Sequence, residues 1–84
     1  MAKCTGVGVA FDWKDGPCRG EPADLQQKAI DNAKKEADKQ CDRGDCRGHG
    51  HAIGKPVCHE FELHGKMQHI WIASAAYDGE CVSA

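Results

Sequence analysis

The residues with chemistry to offer are six cysteines (Cys4, Cys18, Cys41, Cys46, Cys58 and Cys81) and five histidines (His49, His51, His59, His64 and His69). An even number of widely spaced cysteines in so short a chain suits a disulfide framework. Thiolate and imidazole together also suit Zn2+, which takes four such ligands in a tetrahedron. A third reading leaves the thiols free, as in a cytoplasmic protein.

As bridges, the six cysteines allow fifteen full pairings. Only Cys41–Cys46 has a local argument, because a loop folding back on a helix end brings the two together. Cys4–Cys81 would tie the ends of the chain, and Cys18–Cys58 would tether a loop. Loop-closure entropy makes the first worth roughly 2 kcal/mol and the end-to-end bridge about 4.5 kcal/mol.

As metal ligands, the best set is Cys41, Cys46, His49 and His51, spaced C-x4-C-x2-H-x-H, with Cys58 and His59 within reach. This lacks the C-x2-C knuckle common in structural zinc sites. His64 and His69 flank a hairpin turn and can face each other. Zinc is thus the cofactor of the alternative reading, and the disulfide reading needs none.

Catalytic readings are less specific. A redox site needs C-x-x-C at a helix N-terminus, where the dipole lowers the thiol pKa, and Cys41 falls at the other end of the expected helix. Cys–His hydrolysis requires a positioned pair, and any of five histidines can be nominated. No catalytic residue is singled out, and a small enzyme or enzyme-inhibitor module is the least specified alternative. Gly6-Val7-Gly8 lacks the third glycine and the following helix of a dinucleotide site. Arg43-Gly44-Asp45 spells a cell-adhesion tripeptide, but three residues carry almost no information.

Composition narrows the field. The chain has 84 residues, 40% of them hydrophobic but only five aromatic, with a formal charge of −2. It is expected to form one domain spanning 1–84, with a core that is marginal for its size. The basic footprint of a nucleic-acid binder is absent. No apolar run approaches the ~18 residues of a membrane span, and the first residues do not read as a signal peptide. Bridged cysteines imply a secreted or periplasmic protein. That holds if Met1 and Ala2 do not belong to the natural mature chain; free thiols would imply the cytoplasm.

The chemistry must be positioned by a few elements. The clearest is a helix from Pro22 to Cys41. Leu25, Ala29, Ala33, Ala37 and Cys41 recur every fourth residue, with Ile30 on the same side and charged residues opposite. Glu21 and Asp24 at its start and Lys39 at its end suit the helix dipole. Asp31 can pair with Lys35, and Gly44 is the expected stop. The alanine stripe fits a helix lying close on a sheet.

Lys3–Trp13 alternates as a strand, with Thr5, Val7, Val9, Phe11 and Trp13 on one face and Cys4, Gly6, Gly8 and Ala10 on the other. Burying Val7, Val9 and Phe11 is worth roughly 1.5–3 kcal/mol each. The bulky face is therefore expected to meet the helix and the bare face to meet solvent. Residues 14–21 and Cys41–Gly54 read as loops, the second rich in glycine. Val57–His64 and Met67–Ala76 form a hairpin through Gly65-Lys66. Asp78-Gly79 then turns the chain into a short closing strand, Glu80–Ser83.

The order β-α-β-β-(β) implies an α+β two-layer sandwich, with one helix on a mostly antiparallel sheet of three or four strands. Trp71 is out of phase with Ile70 and Ile72. It either fills the core under the helix or stands exposed beside His69 and Met67 as a binding patch. The favoured function is a non-catalytic, disulfide-stabilised binding or accessory module of an exported protein. Its partner would be an unidentified protein or peptide, and it would be a monomer or weak dimer.

Overall fold

The structure, a computed structural model, describes residues 2–82. Four strands and one helix follow in the order β1 (Lys3–Asp15), α1 (Leu25–Asp38), β2 (Asp45–Ala52), β3 (Val57–Leu63) and β4 (Lys66–Val82). This is the α+β two-layer arrangement expected, with one antiparallel sheet of four strands.

The long strand β4 is the spine of the sheet. On one edge it pairs with β1 from Lys3↔Glu80 to Asp15↔Gln68. Its other edge is shared end to end, with β3 against residues 66–72 and β2 against residues 75–82. The sheet is therefore three strands wide along most of its length. His64 and Gly65, both at positive φ (51° and 78°), form the two-residue turn between β3 and β4.

Two stretches differ from the sequence reading. Part of the expected loop Cys41–Gly54 is strand β2, and Asp78-Gly79 lies mid-strand instead of turning. The reason is cross-strand fit. Gly48 and Gly79 oppose each other, and a Cβ on either would strike the partner strand's backbone. The glycines serve close strand contact here, a use that local turn rules do not detect. The Tyr77 hydroxyl also holds Gly48, accepting from its N–H at 3.0 Å. Glu80, Cys81 and Val82 continue β4; Ser83, placed in the expected closing strand, lies outside the described residues.

The helix begins at Leu25, later than Pro22, whose carbonyl accepts the Leu25 N–H at 3.3 Å. It ends at Asp38, before Gly44. Its ion pairs are Lys28–Asp24, Lys34–Asp38 and Lys39–Glu36, while Asp31 takes the Gln27 amide in place of the expected Lys35. The alanine stripe is buried as expected, with Ala29, Ala33 and Ala37 fully inaccessible.

The helix lies on the bare face of β1, the reverse of the expectation. The core joins its alanines to Cys4, Ala10, Cys46, Ala73, Ala75 and Tyr77. A Cβ on Gly6 would meet the backbone of Ala33 and Ala37, and one on Gly8 that of Ala29 and Ala33. Helix and sheet touch backbone to backbone, so the small residues select each other. Two amides stitch the layers at the free edge of β1. Gln40 accepts from the Thr5 N–H at 2.9 Å, and Asn32 donates to the Val9 carbonyl at 2.8 Å.

Candidate functional site

Three bridges hold the covered face: Cys4–Cys46, Cys18–Cys58 and Cys41–Cys81. Cys18–Cys58 matches the expected pairing. Cys41–Cys46 and Cys4–Cys81 do not, because β2 carries Cys46 under the helix beside Cys4, leaving Cys41 to reach Cys81. Each bridge spans about 40 residues, a loop worth about 4 kcal/mol by closure entropy. Six cysteines in three bridges make this a small disulfide-stabilised domain, of a kind suited to an oxidising compartment.

The expected zinc ligands are not brought together. Cys41 and Cys46 belong to different bridges. His49 and His51 oppose Asp78 and Ala76 and are exposed on the face away from the helix, whereas Cys46 is buried beneath it. The sulfurs that do converge are those of Cys4, Cys41 and Cys81, all within 4.8 Å of one another.

Trp71 and His69 face the covered side beyond the end of the helix, where the loop from Gly16 to Arg19 lies over them. The Trp71 indole N–H donates to the Arg19 carbonyl at 2.9 Å, and His69 Nδ1 lies 3.0 Å from the Gly16 carbonyl. His69 is buried and Trp71 is half-buried. The Cys18–Cys58 bridge anchors this loop, as does Glu60, which accepts the Cys18 N–H at 2.8 Å. The surroundings of Trp71 and His69 are those of a loop anchor. Beside them, Asp12, Lys14, Asp15 and Arg19 line a polar depression of about 410 Å³. Its charges are mixed.

The surface that stands out was assigned to the core by the sequence. Val7, Val9, Phe11 and Trp13 are 62%, 43%, 60% and 56% exposed. Register places Ile70 and Ile72 beside Trp13 and Phe11, and Val57 on the far side of Ile72. Phe61 reaches across to Trp13, ring centroids 5.1 Å apart and edge-on. The Trp13 indole N–H donates to Gln68 on the same face. From Val7 to Trp13 and across Ile70, Ile72 and Val57 the face carries no lysine, arginine or carboxylate; His51 and His59 border it, and Asp15 marks its end beyond Trp13.

The stretch of β1 from Val7 to Trp13 at about 3.3 Å per residue, across three strands about 4.8 Å apart, gives an apolar area roughly 23 Å long and 14 Å wide. That is within the range of the largest apolar patch of a typical monomer, about 300–600 Å². The signal for it was present in the alternation of β1. What the sequence does not show is which of the two faces the helix covers.

Electrostatics act at the other end of the helix. The Asp38 carboxylate accepts the Cys46 N–H at 2.8 Å and the Lys34 ammonium at 3.1 Å. The Cys46 hydrogen bond, then Lys34, hold the Asp38 carboxyl below its usual range, and Asp38 in turn raises Lys34. The pair fixes the helix end to the start of β2, next to two bridges.

Comparisons with protein-family models, with curated proteins and with solved structures found no match. Among the described residues no helix is long and apolar enough to cross a membrane.

Proposed function

We propose that this chain is a non-catalytic binding module of an exported protein and that its working surface is the open sheet face. The observation that carries the reading is the exposure of Val7, Val9, Phe11 and Trp13 in one row beside Ile70 and Ile72. Water contact with these side chains is costly, and a partner covering them recovers about 25 cal/mol for each Å² of apolar surface buried. Aromatic residues at the centre of a flat, rigid face are the usual anchors of protein recognition. The partner is a protein or peptide presenting an apolar, aromatic-rich surface. The three bridges support export to a secreted or periplasmic location. They also keep the face rigid, so that little ordering entropy is lost on binding.

The test is selection of displayed random peptides on the oxidised protein. Selected peptides should be rich in apolar and aromatic residues. They should lose binding to a Val9→Lys/Phe11→Lys variant and keep it for an Asp31→Ala variant on the exposed side of the helix. Selected peptides that bind the double-lysine variant equally well would place recognition elsewhere and remove the basis of this reading.

A further inference from the structure

We propose that, when reduced, this chain binds one Zn2+ through the four thiolates of Cys4, Cys41, Cys46 and Cys81. These residues come from β1, the segment after α1, β2 and β4, and they converge at one end of the sheet beneath the last turn of the helix. The Sγ atoms of Cys4, Cys41 and Cys81 lie within 4.8 Å of one another although they belong to two different bridges. The fourth, Cys46, is bonded to Cys4 and sits directly opposite Cys81 across β2 and β4.

A tetrahedral site with Zn–S bonds of about 2.3 Å places its sulfurs about 3.8 Å apart. The two bonded pairs must therefore open by under 2 Å, and the Cys4–Cys41 and Cys4–Cys81 separations close by no more than about 1 Å, while the Cys46 sulfur, outside that group of three, swings further. Side-chain rotation supplies changes of this size. The Cα atoms of the bridged pairs are 5.9 and 5.5 Å apart and need little movement.

The remaining pair, Cys18–Cys58, stands alone at the other end of the molecule and provides only two sulfurs. The site is half open. Cys4 and Cys46 are buried, whereas Cys41 and Cys81 are partly accessible and give a cation its approach.

The exchange balances. Two equivalents of a dithiol reductant give four electrons and four protons to the two bridges. Each dithiol closes to a cyclic disulfide, and the protein gains four thiols. Zn2+ then displaces four protons and is held as a tetrathiolate. Two equivalents of a small-molecule disulfide reverse the sequence: they take four electrons from the four thiolates, take up four protons from solvent to leave as thiols, and the two re-formed bridges release Zn2+. The same four residues thus close the helix end of the fold by covalent bonds in an oxidising compartment and by a metal in a reducing one. The proposal does not depend on the open face.

The experiment reduces the full chain with a dithiol, removes the reductant without oxygen and titrates Co2+ as a probe. One Co2+ per chain is expected, with intense thiolate-to-cobalt charge-transfer absorption and tetrahedral ligand-field bands, both abolished by one equivalent of Zn2+. The zinc-loaded chain should regain the amide chemical-shift dispersion of the oxidised protein. A Cys18→Ser/Cys58→Ser variant should bind identically, and a Cys41→Ser/Cys81→Ser variant should lose the stoichiometric complex. Three results would overturn the proposal: no stoichiometric binding, binding that survives loss of Cys41 and Cys81, or a loaded chain without native dispersion.

Discussion

Along β1, Cys4, Gly6, Gly8 and Ala10 look one way and Thr5, Val7, Val9 and Phe11 the other, and the helix packs on the side with less to bury. Area alone would favour the reverse, because covering Val7, Val9 and Phe11 is worth roughly 1.5–3 kcal/mol each. Side chains of that size would hold the helix well away from the sheet. Glycine and alanine instead let Ala29, Ala33 and Ala37 rest on the strand backbone, where Asn32 and Gln40 reach its edge and Asp38 reaches Cys46. The covered face trades apolar area for close contact and covalent bonds. The open face keeps the large side chains, which is why the first reads as scaffold and the second as a place for a partner.

If the covered face depends on bonds more than on area, the bridges carry the largest single contribution. Cys4→Ala/Cys46→Ala should lower unfolding free energy by about 4 kcal/mol, the closure entropy of a loop of about 40 residues. The denaturant midpoint of the variant against wild type measures it. A loss under about 1 kcal/mol would mean that close packing holds the helix without the bond.

Glycine gives the next sharpest contrast. Gly8→Val drives a side chain into the backbone of Ala29 and Ala33, and overpacking against atoms that cannot rotate away should cost about 3 kcal/mol or more. Its neighbour Val9 points to the open face, where Val9→Thr should stay within about 0.5 kcal/mol. Equal effects at the two positions would erase the distinction between the faces.

The two tryptophans make the same comparison at the other end of the sheet. Trp71→Ala removes a half-buried ring and a hydrogen bond to the loop carbonyl of Arg19, and should cost about 2 kcal/mol. Trp13→Ala empties a site already open to water and should cost less than about 1 kcal/mol. Binding of anilinonaphthalene sulfonate to the folded protein should respond in the opposite order, falling for Trp13→Ala and not for Trp71→Ala.

Period is legible in this sequence, but sidedness is not. Leu25, Ala29, Ala33 and Ala37 repeat every fourth residue, and β1 alternates cleanly, so both elements and the α+β class can be read directly. The choice between the two faces of β1 cannot, because single-residue burial energies point to the wrong one and steric fit between backbones decides. The same limit hid β2 and the end of β4. Gly48 and Gly79 look like loop and turn residues until their opposition across two strands is known. The unrecognised β2 also hid the pairings, because it carries Cys46 onto the covered face, where it bonds Cys4 while Cys41 bonds Cys81. Trp71 drew attention by being out of phase with Ile70 and Ile72, and the phase was right. It marked the side that the loop covers, while the candidate site formed from the in-phase residues opposite.

The smallest expected effect concerns the polar clasp at the helix end. The hydrogen bond from Cys46 and the Lys34 ammonium favour ionised Asp38, so its carboxyl stays below the ordinary value of about 3.9. A carboxyl depressed in the folded state contributes stability above its unfolded pKa, and that stability fades as pH falls through the folded value. Lys34 acts oppositely. Its raised pKa contributes stability below the ordinary lysine range, and this is lost as pH rises through the folded value. The clasp is therefore complete from mildly acidic to mildly alkaline pH. Asp38→Asn can still accept from the Cys46 N–H but offers Lys34 no charge. It should be slightly less stable than wild type at pH ~7, and the gap should narrow as pH falls through the lowered folded value and wild-type Asp38 takes up its proton. Urea midpoints of both proteins from neutral pH downward measure the convergence. A gap that stays constant with pH would show that Asp38 holds β2 through hydrogen-bond geometry alone. Close fit and covalent bonds would then fix the covered face with no help from charge.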